Sequence, residues 1–168
     1  MTQPTPYRVI PLIGRDDSGK TWLARAMAAA ANAAPRAVVV DGRHAVVVDI
    51  PGHAQMTQLV DFADHATEQW LLASSGAAGA ILVISATDSV LPETRRSATT
   101  ALALGIPIVA AALTKCDQVE DVEMLALLTM EIRELLTKFH AANVPVLQTS
   151  AGPETTRGMQ SLLSVLAH

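Results

Sequence analysis

The run Gly14-Arg15-Asp16-Asp17-Ser18-Gly19-Lys20-Thr21 decides how this chain folds. It reads G-x-x-x-x-G-K-T, the pattern of a phosphate-binding P-loop. The apolar run Val9-Ile10-Pro11-Leu12-Ile13 precedes it and an alanine-rich helical stretch follows. That strand–loop–helix setting lets backbone N–H groups converge on a phosphate chain at the positive end of a helix. Lys20 would reach the β- and γ-phosphates, and the Thr21 hydroxyl would ligate Mg²⁺. Gly14, Asp17, Ser18, Gly19, Lys20, Thr21 and Trp22 are the nucleotide contacts expected from this part of the chain.

Strand-like and helix-like segments alternate outward from the loop. Val9–Ile13 is a strand and 19–34 a helix ending before Pro35. Two β-branched runs, 37–40 and 45–49, flank Asp41-Gly42, a hairpin signal. The segment 57–74 carries Leu59, Ala63, Ala66 and Trp70 at helical spacing and is expected as one helix. Runs 80–86 and 106–113 are continuously apolar, as buried parallel strands are. Helices are expected over 92–104, 120–141 and 154–167, and a last strand over 144–149. This βαβ succession implies one α/β domain over 1–168 with the three-layer P-loop NTPase fold: a mainly parallel six-stranded sheet, one antiparallel hairpin strand, and helices on both faces. Ligands then bind beyond the C-terminal ends of the strands.

Composition supports that class. Of 168 residues half are apolar and only 3% aromatic, so the core is aliphatic and alanine-rich. Net charge is −4 with no basic run, which argues against a broad nucleic-acid-binding face. One cysteine, Cys116, excludes an internal disulfide. Nothing resembles a signal peptide, and Pro, Asp or Lys breaks each apolar run before membrane-spanning length. The expectation is a cytoplasmic domain without a membrane partner.

Further motifs each follow an expected strand. Asp49-Ile50-Pro51-Gly52 is D-x-x-G: an acid for the Mg²⁺ shell, then a glycine whose N–H can approach a γ-phosphate. Thr114-Lys115-Cys116-Asp117 offers an acid that can accept from guanine's ring N–H and exocyclic amine, which adenine cannot match. Ser150-Ala151-Gly152 can give backbone N–H to the guanine oxygen. Alone, a P-loop pattern has a modest false-positive rate, and D-x-x-G or Ser-Ala carries almost nothing. Their order, each after a strand, is what points to a guanine-nucleotide site.

With these residues the chain resembles the GTP-binding domain of translational GTPases, of the elongation factor Tu type. The matching stretches include Asp49-Ile-Pro-Gly-His-Ala, Gly79-Ala-Ile-Leu-Val-Ile, Leu91-Pro-Glu-Thr-Arg, Leu104-Gly-Ile-Pro, Thr114-Lys-Cys-Asp and Met130-Glu-Ile-Arg-Glu-Leu-Leu. The resemblance implies guanine-nucleotide binding with Mg²⁺ held by Thr21 and Asp49. It makes His53 the counterpart of the family's catalytic histidine, with Lys20 stabilising the transition state.

The chain also departs from that family. The later domains that hold aminoacyl-tRNA do not follow, so no role with aminoacyl-tRNA is expected. The long first switch region, which supplies a threonine over Mg²⁺ and the γ-phosphate, has no counterpart: 22–48 contains no Ser or Thr. Asp16 stands where the family has a small apolar residue facing the γ-phosphate. Two unit charges ~4 Å apart repel by about 4 kcal/mol at an effective dielectric of ~20, unless Arg15, Mg²⁺ or an outward rotamer relieves it; the bland alternative is a solvated loop acid. Ser18 replaces a histidine, and Thr114 replaces an asparagine, as in Rho-type small GTPases. The segment after His53 is about ten residues longer than the family's. Its apolar stripe reads first as core, and second as a surface for an unidentified protein partner or a second copy of the chain. His65, beside Asp64 and Glu68, reads as solvated, and no metal beyond Mg²⁺ is expected. The leading expectation is a guanine-nucleotide-binding domain with slow or impaired GTP hydrolysis. The rival is a pseudo-GTPase, a binding or scaffold protein without turnover; a P-loop ATPase or kinase comes third, and Asp117 argues against it.

Overall fold

Continuous apolar runs become the centre of a sheet. The computed structural model describes residues 7–51, 55–62, 64–74, 76–150 and 155–167. In chain order the elements are β1 (Tyr7–Ile13), α1 (Lys20–Ala30), β2 (Arg36–Val40), β3 (Arg43–Ile50), β4 (Met56–Phe62), α2 (His65–Ser74), β5 (Ala80–Ser85), α3 (Pro92–Ala103), β6 (Ile108–Thr114), α4 (Val122–Lys138), β7 (Val146–Gln148) and α5 (Thr155–Ala167). Every residue of β5 is buried, as expected of a parallel strand covered on both faces.

The sheet order is β2-β3-β4-β1-β5-β6-β7. Strands β4, β1, β5, β6 and β7 are mutually parallel, while β3 is antiparallel to both β2 and β4. The β2–β3 hairpin turns at Asp41-Gly42, both with positive φ (50° and 74°), which is what a two-residue turn matched to strand twist requires. One core packs Leu23, Ala24 and Met27 of α1 and Met159, Leu162 and Leu166 of α5 against one face. The other packs Ala98 and Ala101 of α3 and Leu128, Ile132 and Leu135 of α4, with Leu72 of α2. Small alanines let helices approach the sheet closely, which suits a core with few aromatics. The α/β class, the mainly parallel sheet, the hairpin and the two helical layers are those expected from the sequence.

The segment 57–74 differs from expectation. Met56–Phe62 is a strand, and only His65–Ser74 is helical. The helical spacing of Leu59, Ala63, Ala66 and Trp70 spans two different elements and so has no meaning as a stripe. Tertiary pairing overrides it: Leu59 is fully buried between Ile10 of β1 and Val48 of β3. The sheet thereby has seven strands among the described residues rather than six. Strand β3 is pushed one place outward and runs against β1. Its C-terminal end therefore points away from the loop that leaves β1.

Candidate functional site

The P-loop is fixed by close packing. A Cβ on Gly14 would lie 2.4 Å from the Val83 carbonyl oxygen of β5, so only glycine fits. Gly19 has φ +91°, and Asp17 takes the left-handed conformation at φ 62°. Helix α1 starts at Lys20, directly after the loop. The Lys20 ammonium is buried and donates to the Gly14 carbonyl at 2.8 Å and the Arg15 carbonyl at 3.3 Å. Two carboxylates face it: Glu68 at 3.6 Å and Asp16 at 3.9 Å. Arg15 is committed elsewhere, pairing with Asp88 at 2.8 Å. The Asp16 side chain is 63% exposed, the outward arrangement that weakens its field on the loop.

The guanine-motif residues are tied to the same loop. Thr114 is fully buried, and its hydroxyl donates to the Ser18 carbonyl. Lys115, in the left-handed conformation at φ 58°, donates from Nζ to the Asp17 carbonyl at 2.8 Å. Asp117 is exposed, in the short 3-10 turn Cys116–Gln118. That turn is held to the end of β7 by the Cys116 N–H on the Thr149 carbonyl. Ser150 is half-buried just beyond Thr149. A cleft of about 250 Å³ is lined by Gly19, Trp22, Lys115, Asp117 and Gln118. A second, of about 330 Å³, is lined by Asp16, Asp17, Lys20, Thr21 and Phe62 and shares Gly19, Trp22 and Lys115 with the first. The shared walls make one depression, with Trp22 at its middle, Asp117 and Gln118 at one end and the loop charges Asp16, Asp17 and Lys20 at the other.

Asp49 is not brought to this depression. It lies on β3 opposite Gln58, which pairs with Val9 of β1. Val9 is five residues before Gly14, or about 17 Å at ~3.3 Å per residue. There Asp49 pairs with Arg36 at 2.7 Å and accepts from the Gln58 amide at 3.0 Å. The carboxylate that reaches Thr21 is Asp61, near the end of β4: the Thr21 hydroxyl donates to Asp61 Oδ2 at 2.6 Å. Asp61 is 3% exposed, and its Oδ1 has no protein partner. Burial pushes its carboxyl above the usual carboxylate range, opposed by the Thr21 hydrogen bond and by Lys20 and Arg25.

The sequence contained a signal for Asp61. Asp61-Phe62-Ala63-Asp64-His65 repeats the Asp and His spacing of Asp49-Ile50-Pro51-Gly52-His53, with Asp64 in the glycine's place. Starting from Asp61, twelve positions later, also removes the apparent ten-residue excess. Asp64 caps α2: it accepts the Thr67 N–H at 2.8 Å and the Thr67 hydroxyl at 3.0 Å, which hold its carboxyl below the usual range. One turn into that helix Glu68, named in the sequence only as a neighbour of His65, is 1% exposed and accepts the Gly14 N–H at 3.4 Å. Gly52, His53, Ala151 and Gly152 lie outside the described residues.

No helix among the described residues is long and apolar enough to cross a membrane. Among them there is also no cluster of three or more His, Cys, Asp or Glu side chains able to hold a metal alone. A magnesium site built on phosphates needs none, since Mg²⁺ is held by one or two protein oxygens plus water and substrate phosphates. The Thr21 hydroxyl beside a buried carboxylate with an unpaired oxygen fits that demand.

The family model of the elongation factor Tu GTP binding domain matches residues 24–168. The match begins just past Thr21, so the P-loop stands on its own residues and geometry. With the sheet, the loop and the guanine-motif strand in one site, the chain belongs to the elongation factor Tu GTP binding domain family, a guanine-nucleotide-binding domain of that type.

Proposed function

We infer that the depression around Lys20 and Asp117 binds a guanine nucleotide with Mg²⁺ and turns GTP over slowly or not at all. The observation that carries this reading is the joint attachment of Thr114 and Lys115 to the Ser18 and Asp17 carbonyls, which sets a base-reading acid beside a phosphate loop. Loop N–H groups and Lys20 bind phosphate oxygens. Trp22 and the Lys115 stem flank the base, Asp117 accepts from guanine, and 150–152 supply N–H groups to its oxygen. Thr21 and Asp61 would hold Mg²⁺, the latter through water. When bound, the metal neutralises charge on the β- and γ-phosphates.

By the same registration His65 takes the water-orienting role first expected of His53. Slow turnover rests on two features. Only five residues, 31–35, join α1 to β2, and no hydroxyl lies between Trp22 and Val48 to close over the γ-phosphate. Asp64 also replaces the glycine whose N–H would approach it. The last point favours a second reading, a pseudo-GTPase that binds nucleotide as a scaffold without hydrolysis.

Calorimetric titration with GDP, a non-hydrolysable GTP analogue and ATP, with and without Mg²⁺, tests the binding. Mg²⁺-dependent uptake of guanine but not adenine nucleotides is expected. Failure to bind either guanine nucleotide would reject it. Phosphate release from wild type and from H65A and H53A then separates the two readings: turnover lost in H65A alone supports the enzyme, and no turnover in wild type supports the scaffold.

A further inference from the structure

Glu68 has no counterpart among the residues expected to handle nucleotide, yet it is the most deeply placed acid of the site at 1% exposure. Its Oε2 lies 3.6 Å from the Lys20 ammonium and receives the Gly14 N–H at 3.4 Å. A loop N–H and the P-loop ammonium are the donors that a phosphate oxygen takes. Their position along the loop identifies which phosphate. Lys115 and Thr114 hold the Asp17 and Ser18 carbonyls, so that half of the loop is tied to the strand end that carries Asp117. Gly14 and the Lys20 tip lie at the other end, beside β4 and α2, where the terminal phosphate of a nucleotide would come.

We propose that the Glu68 carboxylate is a built-in stand-in for the γ-phosphate and makes this a diphosphate-selective site. The inference rests on the guanine-nucleotide reading and adds its ligand preference. GDP binds with Glu68 in place on Lys20. A triphosphate must expel it, because a carboxylate and a γ-phosphate cannot share one ammonium without like charges in contact.

The expulsion is opposed by how α2 is anchored. Asp64 caps its first turn through Thr67, and the Asp64 carbonyl accepts the Glu68 N–H at 3.0 Å. Leu72, 3% exposed, fixes the next turn in the core shared with α3. Shifting α2 to carry Glu68 out therefore means uncapping the helix or withdrawing a buried leucine, which leaves rotation of the buried side chain itself as the way out. In place of a glycine that welcomes a γ-phosphate, the chain has a capped helix that offers an acid.

The test is titration of the full chain with GDP and a non-hydrolysable GTP analogue in Mg²⁺, for wild type and E68Q, which keeps the shape and removes the charge. Wild type is expected to bind GDP about tenfold or more tighter than the triphosphate. E68Q is expected to gain about tenfold or more for the triphosphate while GDP shifts less than about threefold. Equal wild-type affinities, or a GDP-to-triphosphate ratio that E68Q leaves unchanged, would overturn the proposal. A merely structural Glu68 would lower the melting temperature of E68Q without moving that ratio. Should E68Q not fold, E68A read by the same GDP-to-triphosphate ratio decides, because Asp16, also facing Lys20, disfavours a triphosphate in the wild type as well. GDP binding with no preference removes the role of Glu68 alone, whereas binding of neither nucleotide by either protein removes the guanine reading as well.

Discussion

Asp61 and Asp49 offer a direct contrast, since both head a D-x-x-x-H run and only one touches Thr21. Each is replaced by Asn, and Mg²⁺-dependent GDP affinity is measured by calorimetry. Asp61 sits 2.6 Å from the Thr21 hydroxyl. A divalent ion ~4 Å away would be attracted by about 8 kcal/mol at an effective dielectric of ~20, much of it offset by desolvation. Groups that act on a metal through its outer shell cost about 10–100-fold in metal affinity when removed, and that loss is expected for D61N. Asp49 is about 17 Å from Gly14 along the strands. There the attraction is about 0.5 kcal/mol in water and under ~0.1 after screening with a Debye length of ~8 Å. D49N should change GDP affinity by less than about twofold and cost about 0–1 kcal/mol of stability through its exposed pair with Arg36. Loss of Mg²⁺ dependence in D49N with retention in D61N would refute the assignment.

Asp61 also predicts a pH effect of definite sign. Its folded carboxyl titrates above 3.8, so the native state keeps a proton that the unfolded chain has lost. Stability therefore falls as pH rises through the window from 3.8 up to the folded value, and the penalty is complete above it. D61N, free of that charge, should melt higher than wild type without nucleotide, by more at pH 7.5 than at pH 4.5. A lower melting temperature for D61N at pH 7.5 would mean that the Thr21 and Lys20 interactions outweigh burial.

Other substitutions test the scaffold around this acid. G14A places a Cβ 2.4 Å from the Val83 oxygen and should cost about 1–3 kcal/mol in denaturant unfolding; a change below ~0.5 kcal/mol would show that the loop has room to move. T114V leaves the buried Ser18 carbonyl without its donor, should cost about 1–3 kcal/mol, and should speed GDP release in stopped-flow; an unchanged release rate would show the tie to be only structural. D16V should raise affinity for a GTP analogue by less than about tenfold, because the side chain is exposed and screened; a gain near a thousandfold would show that Asp16 turns inward when phosphate is bound.

Much of the architecture is legible in the sequence because its signals are local. The P-loop glycines, the Asp41-Gly42 turn, Pro92 at the start of α3 and the unbroken apolar run of β5 each act within a few residues. The guanine-motif strand is legible for the same reason. What fails is β4. The run Thr57-Gln58-Leu59-Val60-Asp61-Phe62 has no alternation, and partners on both sides make it a strand; neither partner is visible locally. Read as a helix, 57–74 hides the acid, because D-x-x-G works only at the C-terminal end of a strand parallel to β1. Asp49 has the letters with the opposite strand direction. Glu68 was hidden for a related reason: a glutamate in a helix near other polar residues reads as solvated, and only the packing of α2 beside the loop buries it.

The ties from Thr114 and Lys115 to the phosphate loop have a thermodynamic consequence. Both leave from the end of one strand, and each grips a loop carbonyl. Ordering either end of the depression then lowers the entropy left to lose at the other. Guanosine and pyrophosphate offered as separate fragments should bind cooperatively, each prepaying part of the ordering that the other requires. Base identity and phosphate number are coupled variables in this domain, and a nucleotide with an altered base should be discriminated in its phosphate contacts as well.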